Sequence, residues 1–243
     1  MTSIETGQHH AALDRIGRRI VAGDYAAGSP LDLNEVGQEL GVSRSVVREA
    51  LRVLDTLGMV RAWPKRGTFI TNRSEWSWLH PLVLAWYAET HNDIGFLDAV
   101  AQMREIIEPR VAAIAAQRRT EAELTGLQAA LDRMAASEHD RDAFIDADVA
   151  FHRVLLTATH NELLMQVGSV VEAAIRNHDV AVSVKNAVPA LRLHQQVAAA
   201  VARGASSDAE KAMREVLAQA QYDAEGQTVG DRRRRPAPAP SRH

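Results

Sequence analysis

Between residues 11 and 73 the chain is cut into short pieces by glycine, and that spacing limits its fold more than any other feature. Apolar residues recur at helical intervals as Leu13, Ile16, Ile20 and Val21 before Gly23, as Leu33, Val36 and Leu40 before Gly41, and as Val47, Ala50, Leu51 and Leu54 before Gly58. Glycine enters the left-handed backbone region without Cβ strain, so each one falls where a helix is expected to stop. Ser43 stands ahead of the third stripe, where its hydroxyl can accept a first-turn N–H. Met59-Val60-Arg61-Ala62-Trp63 and Thr68-Phe69-Ile70-Thr71 then flank Pro64-Lys65-Arg66-Gly67, which reads as two strands around a turn. Three short helices followed by a hairpin are therefore predicted over 10–73.

The periodicity changes at Pro81. Residues 72–80 are polar and punctuated, and proline is tolerated at a first helical position, so a linker over 74–81 and a new domain over 82–225 are expected. Helical stripes run over 82–90, 94–118, 121–137, 140–159, 161–184, 188–203 and 206–224, with breaks at Asn92, Ser137-Glu138, His160-Asn161 and Gly204. No convincing strand interrupts them, so an antiparallel helical bundle is the economical arrangement. The fold class is mainly α, a winged helix-turn-helix ahead of an all-α bundle. Residues 226–243 carry Arg232, Arg233, Arg234 and Arg235 and then alternate proline with alanine, which predicts a disordered basic tail.

Composition removes several classes of function. The chain has no cysteine, so disulfides, a thiolate nucleophile and Cys-ligated zinc are excluded, and His, Asp and Glu remain as the strong metal ligands. No apolar run reaches the roughly 18 residues of a membrane span, and MTSIETGQHH lacks the basic and apolar regions of a signal peptide. A cytoplasmic protein without a membrane partner is expected. The formal net charge of -3 hides an asymmetry: residues 1–73 hold ten Lys/Arg against eight acids, whereas 74–230 hold 13 against 22. A weakly basic head on an acidic body fits a dimer that offers only its heads to phosphate.

Arg44, Arg48 and Arg52 are spaced by four on the third stripe, so they share one face while Val47, Leu51 and Leu54 share another. A row of guanidinium groups suits a helix in the major groove, because arginine pairs with guanine O6/N7 in two bonds or clamps phosphate. On an isolated helix such a row is more often a solvated face. The preceding short helix, the Gly41-Val42-Ser43 turn and the basic wing Lys65-Arg66-Gly67 turn the balance toward double-stranded DNA.

Leu40-Gly41-Val42-Ser43-Arg44-Ser45-Val46-Val47-Arg48-Glu49-Ala50-Leu51, Leu57-Gly58-Met59-Val60 and Arg66-Gly67-Thr68-Phe69-Ile70 resemble the GntR family of repressors. The resemblance implies a homodimer on a short palindromic operator, with Arg44, Ser45 and Arg48 at bases or phosphates and Gly67 at the wing tip. Where the family has Glu-Arg in the second helix this chain has Leu33-Asn34, so Asn34 could replace the arginine contact only as a neutral donor. The expected DNA-binding set is Asn34, Ser43, Arg44, Ser45, Arg48, Arg52, Lys65, Arg66 and Gly67.

In the bundle, Asp148 and His152 lie one turn apart among apolar neighbours, and His194 follows on a later stripe. A carboxylate and an imidazole at that spacing can share a divalent metal or a bound anion, although a lone helical histidine is more often structural. Arg104-Glu105-Ile106-Ile107-Glu108-Pro109, Asp148-Val149-Ala150-Phe151-His152, Asn161-Glu162-Leu163-Leu164 and His194 resemble the helical FCD ligand-binding domain of the FadR-type subfamily. The resemblance implies a carboxylate effector held by Arg104, Asp148, His152 and His194, with a divalent metal such as zinc on the last three. Val216 stands where a fourth ligand, histidine, would be, so the site holds either three ligands with an open position or no metal. The segment with Trp76, Trp78, Leu79, Val83, Leu84 and Trp86 most resembles the branch that regulates sugar-acid use. Its tryptophans are expected in linker and inter-domain packing. Two other readings are a metal-dependent enzyme built on Asp148, His152 and His194 and a DNA-binding dimer without an effector. No nucleophile and base accompany the three residues, so an enzyme is not expected.

Overall fold

The computed structural model describes residues 3–90, 94–137, 139–178 and 187–234. The chain forms two compact units, Met1–Asn92 and Asp93–His243.

The first unit runs α1 (Ser3–Ala22), β1 (Pro30–Leu31), α2 (Leu33–Leu40), α3 (Arg44–Thr56), β2 (Val60–Trp63), β3 (Gly67–Ile70), a 3-10 turn at Arg73–Glu75 and α4 (Pro81–Thr90). Its helices stop where glycine predicted, with φ of +84° at Gly23, +67° at Gly41 and +73° at Gly58. The Asp32 carboxylate caps α2 by accepting from the N–H groups of Asn34 and Glu35, and Ser43 Oγ caps α3 by accepting from Val46 N–H. The sheet has the order β1-β3-β2 and is antiparallel throughout, with Val60 opposite Ile70 and Trp63 opposite Gly67. Strand β1 pairs Pro30 with Phe69 and Leu31 with Thr68, in a stretch that the sequence showed only as a break. Two residues are too short to display alternation. Ile16, Ile20, Val36, Val47, Leu51, Leu54, Met59 and Val60 are all buried, so the apolar stripes meet in one small core.

Helix α4 lies on α1, although its periodicity was read as the first helix of the bundle. The Trp86 indole fills the notch left by Gly17, where a Cβ would come within 2.5 Å of the ring. Trp86 Nε1 donates to Asp14 Oδ1 at 2.8 Å, and Arg18 pairs with both Asp14 and Glu89. The expected linker is also folded down: Trp76 is buried, Ser77 N–H donates to the Leu57 carbonyl at 2.9 Å, and Trp78 Nε1 donates to the Arg73 carbonyl at 2.9 Å. The Arg73 guanidinium stands 5.3 Å from the Trp78 ring centre and 4.9 Å from that of Tyr87. All three tryptophans therefore pack within this unit. Periodicity shows that 82–90 is a helix but carries no information about which helix it meets.

The second unit is helical across the described residues: α5 (Ile94–Arg118), α6 (Glu121–Ala136), α7 (Arg141–Thr157), α8 (Glu162–Met165), α9 (Gly168–His178), α10 (Ala187–Ala202) and α11 (Ser206–Arg234). Thr120 and Glu123 form a reciprocal capping box at the start of α6. The stripe expected over 161–184 is divided into α8 and α9, and its end at 179–184 lies outside the described residues. Leu127, Met134, Phe151, Leu155, Val197, Val201 and Met213 bring α6, α7, α10 and α11 into one core. Helix α11 continues through Arg234, into the stretch expected to be disordered. Its alanine, glutamate, glutamine and arginine residues favour helix. Residues 235–243 lie outside the described residues.

Gly58 joins α3 to the wing at the tightest point of the head. A Cβ there would sit 2.1 Å from the Glu75 carbonyl oxygen, in a backbone with φ of +73°. Gly58→Ala is expected to cost at least about 2 kcal/mol, combining left-handed strain with displacement of the 72–78 segment. Chemical denaturation followed by tryptophan fluorescence checks this, and an unchanged midpoint would contradict the packing described.

Candidate functional site

The head offers a basic surface on α3 and the wing. Arg44, Ser45, Arg48 and Arg52 are exposed along α3, while Val46, Val47, Ala50, Leu51 and Leu54 are buried on its other side. Ser43 is engaged locally, capping α3 and lying 2.8 Å from Ser45 Oγ. Arg52 pairs with Glu49 at 2.6 Å, which leaves Arg44 and Arg48 as the arginines of this face without an ion pair among the described residues. Lys65, Arg66 and Gly67 are exposed at the wing tip. Lys65 takes φ of +62° and Gly67 takes +101°, so the tip is a tight turn. Asn34 is exposed on α2, and its backbone N–H is spent on the Asp32 cap at 2.6 Å.

The second site is buried. Asp148 and His152 project from one face of α7, and His194 comes from α10. His194 Nε2 lies 2.9 Å from Asp148 Oδ1 and 3.4 Å from His152 Nε2, and His152 Nε2 lies 3.2 Å from the same Asp148 oxygen. Phe151 closes one side, edge-on to the His194 ring with centroids 5.0 Å apart. The Nδ1 atom of His194 is 2.8 Å from the Ala190 carbonyl, which can only accept, so this nitrogen carries a proton. The Nδ1 atom of His152 contacts Glu108, and Glu108 pairs with Arg104 Nε at 2.5 Å. Arg104 thus joins the cluster through Glu108. Glu108 is the member that sequence reasoning passed over, although its spacing of four from Arg104 was a usable signal for a pair on one face of α5.

The charges hold one another in place. Burial raises the Asp148 carboxyl, but His194 and His152 outweigh it and leave the group well below the usual carboxylate range. Burial lowers His152, but Glu108 and Asp148 raise it to about 9. Glu108, against its own burial, is brought down to about 2 by Arg104 and His152.

One carboxylate oxygen and two imidazole nitrogens lie within 4.8 Å of one another, a donor set that suits a divalent cation. Asp148 Oδ1 is buried and meets no donor at a hydrogen-bonding angle, despite the two nearby Nε2 atoms. A cation at their focus would satisfy all three lone pairs. Val216 is buried on α11 and has no donor atom, so three protein ligands are available among these residues.

A winged helix-turn-helix with a basic face on α3, followed in the chain by a helical unit with a buried polar cluster, is the architecture of a DNA-binding transcription regulator. Residues 9–70 match the family described as bacterial regulatory proteins, gntR family, and residues 99–219 match the FCD domain. The galactonate operon transcriptional repressor of Escherichia coli K12 is 34% identical over 162 residues, which cover 66% of this chain and 71% of the relative. LutR of Bacillus subtilis 168 is 32% identical over 199 residues, covering 79% and 89% respectively. The chain therefore belongs to the GntR family, in its FadR-type division with an FCD domain. Among solved structures, Lar of Listeria monocytogenes aligns with a TM-score of 0.64 at 18% identity, covering 93% of this chain and 98% of that one. Escherichia coli McbR/YncC aligns with a TM-score of 0.53 at 15% identity, covering 94% and 100%, and both likenesses concern the fold.

In chelator-treated protein the His152 imidazolium stabilises the folded state, because its folded value of about 9 exceeds the ordinary 6.5. That contribution is complete below about pH 6.5 and is lost as the pH rises through about 9. The urea midpoint of the wild-type chain should fall over this interval relative to that of His152→Gln. Parallel midpoints from pH 6 to 10 would contradict the charge state assigned to His152.

Proposed function

We propose that this regulator is a homodimeric repressor, released from a two-half-site operator when a small carboxylate, such as a sugar acid, binds the helical unit. The carrying observation is the convergence of Asp148, His152 and His194 on one point beside the apolar core of the helical unit. A buried polar focus of that kind is costly unless a ligand or cation uses it. The galactonate operon repressor among the relatives supports a sugar acid as the effector class. A divalent cation such as zinc, when bound, supplies a positive centre for carboxylate and hydroxyl oxygens. Here Asp148, His152 and His194 would hold it, and the absence of a ligand at position 216 leaves room for effector oxygens.

A second reading has a specific observation behind it. Val216 removes one ligand, so the effector could instead meet Arg104, Asp148, His152 and His194 directly through charge-assisted bonds. On either reading the effector acts by preferring one arrangement of the two heads, and coupling requires only that difference in affinity. Operator binding makes the cytoplasm the place of action; no helix among the described residues is long and apolar enough to cross a membrane.

On the DNA side, Arg44 and Arg48 are assigned to the major groove, with Ser45, Arg52, Asn34, Lys65, Arg66 and Gly67 around them. Replacing Arg44 or Arg48 with alanine should weaken operator binding by about 1 to 3 kcal/mol. The affinity of the unchanged chain should fall steeply with salt. Titration of labelled operator at several salt concentrations reads both effects, and unaltered affinity in both variants removes α3 from the groove.

On the effector side, sugar acids should raise the melting temperature of the dimer and weaken its operator binding. Val216→His should tighten zinc binding by supplying a fourth ligand. If sugar acids stabilise chelator-treated protein as strongly as zinc-loaded protein, the direct-contact reading replaces the metal. If they leave operator affinity unchanged in both states, release by this effector class is wrong.

A further inference from the structure

Glu108 is no ligand of the proposed site, yet it is the one acidic residue among the fully buried polar groups of the described chain. Its side chain is 3% exposed and that of its partner Arg104 is 8% exposed, so the pair is almost withdrawn from water. Ion pairs at such depth are costly to assemble, and what matters is what the pair does for its neighbours. Oε1 of Glu108 takes Arg104 Nε at 2.5 Å, while Oε2 contacts His152 Nδ1. On the opposite side of the same imidazole, Nε2 faces Asp148 Oδ1 at 3.2 Å and His194 Nε2 at 3.4 Å.

An imidazole nitrogen held against a carboxylate must carry a proton, because a lone pair there would face negative charge. With Nδ1 so committed, the proton that a cation displaces from His152 is the one on Nε2, which leaves the lone pair facing the focus. The backbone carbonyl of Ala190 does the same for His194 through its Nδ1. The two histidines are thus fixed by different means, one by the backbone of its own helix and one by a side-chain pair from α5.

We infer that Glu108, anchored by Arg104, is a positioning residue that selects the Nδ1–H form of His152 and so prepares Nε2 to bind a divalent cation. This rests on the cation reading of the site. It also gives Arg104 a role separate from any effector contact: by holding Oε1 of Glu108 it leaves Oε2 toward His152 and ties α5, which supplies no ligand, to a site built on α7 and α10. Carboxylates behind metal-bound histidines act in this way, and their loss typically weakens metal binding about 10- to 100-fold.

The test uses the full chain with zinc alone as probe, competing against a chelating dye near pH 7.5. Glu108→Ala should bind zinc about 10- to 100-fold more weakly than wild type. Glu108→Gln keeps the volume and a carbonyl that can accept from Nδ1–H, so it should recover part of the loss. Long-range 1H–15N correlation of the zinc-loaded protein should show His152 protonated at Nδ1 and metallated at Nε2 in wild type and in Glu108→Gln. Melting temperatures in chelator separate folding from binding, since a purely structural Glu108 would lower stability without altering zinc affinity in the folded protein. Zinc binding by wild type with equal affinity in Glu108→Ala overturns the positioning role and leaves the metal site standing. Failure of wild type to bind zinc overturns the metal site, and the inference with it.

Discussion

Five ionisable side chains share the interior of the helical unit, and the alternation of acids with bases is what permits them to be there. Arg104, Glu108, His152, Asp148 and His194 follow one another in contact, bases alternating with acids. Any one of them alone would pay the full cost of leaving water. Because α5, α7 and α10 each contribute, the packing of those helices and the integrity of the cluster are one constraint. The surrounding core of Phe151, Leu155, Val197 and Met213 lowers the local dielectric and so strengthens each link.

The head obeys a constraint of a different kind, set by backbone rather than charge. Left-handed glycines at the ends of α1, α2 and α3 allow three helices to turn within a short length of chain. The close approach of the 72–78 segment to Gly58 and the seating of Trp86 over Gly17 then fasten α4 to the same unit. These interactions spare the outer face of α3, where Arg44 and Arg48 stay exposed. That basic face is what remains after the head has used its apolar side for packing.

Much of this was legible beforehand because it is local. Helix limits followed from the glycine stops and the Ser43 cap, and the wing followed from two β-forming runs around a turn. Asp148 and His152 could be paired because they lie one turn apart, and the exposed basic face of α3 could be drawn because Arg44 and Arg48 share it. Glu108 was passed over since its spacing from Arg104 marks a pair on one helix face without telling whether that face is buried. Strand β1 was missed because two residues show no period. The partner of α4 was misjudged because a helical stripe states that a face is covered without stating what covers it.

By itself, then, the sequence determined the element order, the helix stops, the basic face of α3 and the residue types able to bind an anion or a cation. Each of these depends on neighbours within about two helical turns, where chain connectivity alone sets the geometry. Only the tertiary structure decided that His194 meets Asp148 and His152, that Glu108 lies behind His152, and that α4 belongs with α1. Those contacts join residues far apart in the chain, and the packing of whole helices, rather than any local preference, brings them together.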